Sequence, residues 1–318
     1  MPAFLTHYIF ADQLLKKDDR YRQVTILGSQ GSDPFFFYGY RLLGKRKKTL
    51  ENREFGTTIH HFDLSIFLDF MFEKIKTLEN TLEKEVLTAY LKGFLMHYSV
   101  DRNCHPYVFY RSGFAKKKAE SKKYTFIHSL FESRVDYLYK NLNGYKRIGP
   151  RKPERIKNKY LKIISFTYYE FAKNILKNDD IFPLSFFHSV KDMKTTNTIL
   201  YSHTGLKKKI FEKYFKFSLV NSMSTPKRVK DDEKVDYLNL KHREWKHPVS
   251  GLVSNKSFPE LVKLAEKDYK TSLELFECSI DEVVSKKIKM FVKKIDHDGC
   301  VVNSSMVYFD CFFKDKFQ

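Results

Sequence analysis

The sequence predicts an all-α protein, a compact multi-helix bundle. Apolar residues recur three or four positions apart along most of the chain. No stretch of useful length alternates apolar with polar residues, and no unit repeats. With 318 residues, 42% of them hydrophobic, the chain can bury a sizeable core, and this composition excludes intrinsic disorder.

Taken in order, Thr6 reads as the N-cap of a first helix running through Phe10, Leu14 and Leu15. Residues 28–48 are punctuated by glycine and read as irregular. Helical periodicity returns at 61–78, 81–104, 122–142, 153–177, 194–222 and 257–295. The polar stretch 223–256, with Pro226, Pro248 and Gly251, reads as a long loop rather than a domain linker. The chain is therefore expected to form one domain over 1–318.

Charge narrows the partners. Against 38 Asp+Glu stand 58 Lys+Arg, a formal net charge of +20. Basic clusters recur at Lys45–Lys48, Lys116–Lys118, Lys207–Lys209 and Lys286–Lys289. A surplus of this size attracts polyanions, either nucleic acid or an anionic membrane surface, and it equally decorates the solvated helix faces of a lysine-rich chain. No motif that reads RNA or DNA stands out. The cysteines Cys104, Cys278, Cys300 and Cys311 lack the spacing of a disulfide framework or a thiolate zinc finger. The longest apolar run, Pro34–Tyr40, is too short to cross a bilayer. The start, Met1–His7, lacks a basic region and a small-residue cleavage site. These features lead to the expectation of a soluble, cytoplasmic protein, with peripheral membrane contact as a second option.

The chemistry concentrates in the histidines. His97, Asp101 and His105 form an H-x3-D-x3-H pattern. On an α-helix a step of four residues rotates by about 400°, so the three side chains drift by only about 40° per step and share one face. Two imidazoles flanking a carboxylate suit a divalent metal, usually zinc. A second helix offers His128 and Glu132, again four apart. Upstream stand His7, Asp33 in the glycine-rich loop, and the adjacent pair His60 and His61. In a shuffled chain of this composition the first pattern alone arises with a chance of roughly a few per cent. The remaining histidines, His188, His203, His242, His247 and His297, lack partners at ligand spacing and read as capping or surface residues. Trp245 reads as a loop anchor in the core and Cys104 as a small buried side chain. Arg134 and Asp136 are read either as orienting the ligands or as part of a solvated helix face.

These segments, in this order, resemble the zinc-dependent phospholipase C family. The resemblance rests on Thr6–Ala11, Gly28–Phe35 with its G-x2-G-x-D pattern, the helix from Gly93 to Pro106, and His128-x3-Glu132. It is strongest to the non-secreted bacterial members. The secreted phosphatidylcholine-preferring enzymes are related, as at greater distance are the single-strand nucleases. The later segments Trp245–Pro248 and Ser257–Leu261 also look like that bacterial group, although the specific motifs stop at Asp136.

The resemblance implies a bundle of the phospholipase C and nuclease type, with a metal-site half over 1–150 and a helical half over 151–318. It implies two or three zinc ions. His60, or its neighbour His61, and His97 resemble ligands of one ion, and Asp101 resembles the bridge to a second, ligated by His7. His105, His128 and Glu132 resemble the ligands of a separate ion. Asp33 resembles the carboxylate that orients or deprotonates the attacking water without being dedicated to coordination, and a cap of the Ser32–Pro34 turn is its other reading. The implied activity is zinc-dependent phosphodiester hydrolysis, with a phospholipid or related phosphodiester as substrate. A nuclease or nucleotide phosphodiesterase and a metal-stabilised binding protein without turnover are the alternatives. Two departures stand out. The secreted enzymes use a mature amino-terminal tryptophan as a ligand where this chain reads Met1–Pro2, and the step from Asp101 to His105 is shorter than theirs.

Overall fold

Helix follows helix through the computed structural model, which describes residues 4–40, 46–145, 156–201, 204–224, 228–229, 232–277 and 281–310. Lys45, His203, Pro226, Cys278 and Cys311 lie outside the described residues. The first half contains α1 (Phe4–Leu14), α2 (Arg22–Gly28), a 3-10 turn at Asp33–Phe37, α3 (Thr49–His61), α4 (Leu64–Thr77), α5 (Thr81–Ser112) and α6 (Ser121–Leu142). The second half contains α7 (Asn158–Asn174), α8 (Ser185–Leu200), α9 (Leu206–Tyr214), α10 (Leu219–Met223), α11 (Asp232–Val235), α12 (Phe258–Leu273) and α13 (Asp281–Val292). The expected all-α architecture is what the described residues show. The one sheet among them pairs β1 (Trp245–Lys246) with β2 (Val253–Ser254) antiparallel, inside the stretch read as a loop.

α5 organises the bundle. It is 32 residues long, and Tyr90, Phe94, Tyr98 and Tyr107 on it are wholly inaccessible. A helix apolar on all sides belongs at the centre of a core, and α2, α12, α1, α4, α6 and α7 surround it. Asn80 caps its first turn by accepting from the Glu83 amide. The periodicity was expected to end at residue 104, but the helix runs through Pro106 to Ser112. A proline there forfeits only the bond to the Arg102 carbonyl, and a later loop packs against the gap: at Gly299 a side-chain carbon would fall 2.3 Å from that carbonyl oxygen.

Other boundaries differ for local reasons. The run 194–222, read as one helix, contains the end of α8, then α9 and α10: α8 stops where Tyr201 turns extended, and Gly205 with a left-handed φ of 72° precedes α9. The run 257–295 divides at a 3-10 turn over Glu274–Glu277. α3 escaped the periodicity reading because it buries only Asn52, Phe55, Gly56, Ile59 and His60. Thr6 is not the cap of α1. It lies inside the helix, and the cap comes from α6: Asp136 accepts from the Leu5 amide at 2.8 Å, the Thr6 amide at 2.8 Å and the Thr6 hydroxyl at 2.6 Å. Asp136 is therefore buried rather than part of a solvated face. No helix among the described residues is long and apolar enough to cross a membrane.

Candidate metal centre

The middle of α5 presents His97, Asp101 and His105 along one buried stripe. α1 brings His7 to it from the side: His7 Nε2 lies 3.0 Å from Asp101 Oδ1. The other carboxylate oxygen, Oδ2, lies 3.1 Å from His97 Nε2 and 3.9 Å from His60 Nε2. One carboxylate thus faces two sets of imidazoles, one through each oxygen.

The glycine-rich loop after α2 supplies Asp33. Its Oδ1 is 3.0 Å from His60 Nε2 and 3.9 Å from His97 Nε2. Gly31 lets the loop come this close. It has φ +51°, and a side-chain carbon on it would fall 2.1 Å from the His97 ring. The Tyr90 hydroxyl donates to the Gly31 carbonyl at 2.9 Å and pins the loop from below. Asp33 Oδ1 accepts no hydrogen bond from its own turn; it stands with His60 and His97 as a group of three potential ligands. This placement would let Asp33 ligate an ion as well as face a water bound there.

The rotation of α3 turns His60 and His61 in different directions. His60 is buried, and its Nδ1 is held by the Gly56 carbonyl at 3.0 Å, which leaves Nε2 to face Asp33. His61 projects outward and is 54% exposed.

A second group forms between α5 and α6. His128 Nε2 lies 3.0 Å from Glu132 Oε1, and His105 Nε2 lies 3.6 Å from the same oxygen. His128 Nδ1 pairs with the Ser112 hydroxyl at 3.2 Å. Burial pushes the Glu132 carboxyl up, but the neighbouring imidazoles of His128 and His105 outweigh it and hold the group anionic. Burial also works against a charge on His105, yet Asp101, Glu132 and Asp298 together raise it. That negative field would draw a cation. His97 behaves oppositely: burial, then the imidazoles of His7, His297 and His60, keep it neutral, with the lone pair of one ring nitrogen available.

The unpaired atoms test whether divalent ions fit. Both nitrogens of His7 and His97, both oxygens of Asp101, Asp33 Oδ1, His60 Nε2 and His105 Nε2 are buried without a hydrogen-bond partner. Buried polar atoms are nearly always paired, and most of the exceptions among the described residues belong to the side chains that converge on each other. Imidazole nitrogens and carboxylate oxygens at this density suit zinc or a similar borderline divalent ion. All seven expected ligands, with Asp33, fall into these groups. His60, His105 and His128 also line one cleft of about 280 Å³, walled by Phe36, Phe109, Phe114 and Tyr124.

The reading of His297 as a surface or capping residue is overturned. It is fully buried, with its ring 4.7 Å from that of His60 and 5.4 Å from that of His97. Its amide donates to the His60 carbonyl at 3.1 Å, and its own carbonyl accepts from His105 Nδ1 at 2.8 Å. Contacts of this kind fix ligand rings in place. Asp298 Oδ1 adds a contact to His105 Nδ1 at 3.4 Å, while Asp296 and Asp298 face His61 in a further group of potential ligands. The sequence signal is slight, a histidine between two aspartates just before Gly299. His247 caps a turn, accepting from the Val249 and Ser250 amides, and reaches the Gly299 carbonyl at 3.0 Å. Trp245 anchors its loop as expected, donating to the Lys256 carbonyl at 3.1 Å. Cys104 is buried and its thiol is pushed up by that burial. Arg134 stacks on Tyr237 at 5.4 Å instead of turning to the ligands.

No family model, curated protein or solved structure matches the chain.

Proposed function

We propose that the protein is a metal-dependent phosphodiesterase of phospholipase C type that hydrolyses a phospholipid or a related phosphodiester. The observation that carries this reading is the convergence of imidazole and carboxylate groups into neighbouring clusters that reach one cleft through His60, His105 and His128. The residues that would hold the ions, zinc being the best match, are His7, Asp33, His60, His97 and Asp101 on one side and His105, His128 and Glu132 on the other. Such ions supply positive charge to the phosphoryl oxygens and acidify water.

The chain's own groups do the rest. Asp33, the loop carboxylate, orients the attacking water and accepts its proton. Asp101, facing His7 through one oxygen and His97 through the other, would place a negative charge between ions held on the two sides. The loop around His297 holds His60 and His105 at fixed angles. Phe36, Phe109, Phe114 and Tyr124 offer an apolar wall for the rest of the substrate. Water adds to phosphorus, the ester bond to the glycerol oxygen breaks, and the alcohol leaves with a proton while the phosphate monoester keeps the head group.

The test is hydrolysis of phosphatidylcholine beside single-stranded DNA, by the purified protein with and without chelator and after zinc is restored. Zinc-dependent release of the phosphorylated head group supports the reading. Cleavage of DNA alone favours a nuclease, and bound metal without turnover on either substrate favours a binding protein.

A further inference from the structure

We infer that α9 and the turn after it form a docking patch for an anionic membrane surface. This deepens the phospholipid reading of the cleft and rests on it for its biological sense. Leu206, Ile210 and Tyr214 lie four residues apart and so share one face of α9. That face points to solvent, with the three side chains 61%, 44% and 66% exposed. The helix is inverted relative to an ordinary surface helix, because its buried residue is Lys208. The Lys208 ammonium donates to the Asn221 carbonyl and, at 2.8 Å, to the Asn221 side chain. The apolar surface continues past the helix through exposed Phe215, Phe217, Leu219 and Val220.

The charge around this surface points to its occupant. Lys209, Lys213 and Lys216 are exposed beside the apolar stripe, and Glu212 is the lone acidic residue between Leu206 and Val220. Apolar and aromatic side chains rimmed by lysine are what lies in the plane of an anionic lipid interface, the apolar groups entering the acyl boundary and the lysines meeting phosphate.

The position also fits. α10, which continues from the patch, packs on α6, where the Ser222 hydroxyl meets that of Ser129 at 3.1 Å and the Phe217 ring lies 6.0 Å from Phe126. Tyr124, Thr125 and His128 of the same helix line the cleft. Docking would set the cleft beside the lipid head groups.

The experiment uses the full-length, metal-loaded protein. Sedimentation is measured with vesicles of phosphatidylcholine alone and of phosphatidylcholine containing about 30% phosphatidylglycerol. The wild type should sediment with the anionic vesicles and release at high salt. The triple variant Leu206→Ser, Ile210→Ser, Tyr214→Ser should bind at least about tenfold more weakly. The variant Lys209→Gln, Lys213→Gln, Lys216→Gln should lose the preference for anionic vesicles. Both replace exposed side chains, and their turnover of the soluble diester bis-p-nitrophenyl phosphate should match the wild type. Equal sedimentation of wild type and triple variant, or none by the wild type, overturns the proposal. So does a self-association or single-stranded DNA complex that the triple variant abolishes while vesicle binding persists. Vesicle binding lost in the variant, with no diester cleaved by any form, upholds the patch and removes the phosphodiesterase reading instead.

Discussion

Asp136 holds Thr6 through two contacts on one carboxylate oxygen, the amide at 2.8 Å and the hydroxyl at 2.6 Å. This joins the start of α1 to the middle of α6 and sets the depth of His7 beside Asp101. Asp136→Ala should destabilise the protein by about 1–3 kcal/mol, since it strips buried donors of their acceptor. Asp136→Asn, which keeps an acceptor oxygen, should cost less. Urea unfolding of the three forms checks the order, and metal content should fall with stability in the alanine variant.

Removing metal should loosen the fold. The proposed ligands come from α1, the Asp33 loop, α3, α5 and α6, and without an ion His7, Asp33, His60, His97 and Asp101 keep polar atoms without a partner in the interior. Elemental analysis of gently purified protein should find at least two equivalents of a transition metal per chain. Chelation should lower the thermal midpoint by about several degrees. An unchanged midpoint with proven metal loss would show the ions to be peripheral to stability.

Asp33→Asn separates two roles for the loop carboxylate. With Oδ1 at 3.0 Å from His60 Nε2, the variant should lose metal from the His60 side as well as turnover. Turnover should fall by about 10²- to 10⁴-fold. Asp101→Asn should lose more metal, because both of its oxygens face imidazoles. Full loading in Asp33→Asn with turnover lost would assign Asp33 to proton transfer alone.

His61 gives a pH signature. Its Nδ1 is 3.7 Å from Asp296 and 3.6 Å from Asp298, and these carboxylates, Asp296 first, raise its pKa above the ordinary imidazole value despite opposing desolvation. The folded protein therefore holds this proton more tightly than the unfolded chain does. The stabilisation is complete below about pH 6.5 and is lost as pH rises through the raised value. For so exposed a side chain it amounts to less than about 1 kcal/mol. The stability difference between wild type and His61→Gln should be largest in mild acid and close in alkali. A difference that stays flat with pH would remove the ion pair.

How far the site could be read from sequence depended on how local its geometry is. His97, Asp101 and His105, and likewise His128 and Glu132, were legible because a helical step of four residues aligns them whatever the rest of the chain does. His60 could not be told from His61, since the choice depends on how α3 rolls against Phe36, whose ring lies 5.1 Å from that of His60. Asp136 and His297 act on atoms far away in sequence, largely through backbone groups, and no periodicity marks such contacts. The helical fold class was plain in the spacing of apolar residues. The break after Leu200 was harder, because the chain stays amphipathic on both sides of it and only an extended backbone at Tyr201 ends the helix.

The position of His297 has a consequence for synthesis. The ribosome delivers the residues from His7 to Glu132 long before the segment that locks His60 and His105. Until that segment arrives, the His105 ring has no carbonyl to receive its Nδ1 proton, and either tautomer is open to it. A nascent chain can therefore gather the ligating side chains early, but the hydrogen bonds that decide which nitrogen faces the ion close late. If the groups hold ions as proposed, their final ligand geometry belongs to the finished polypeptide rather than to the emerging one.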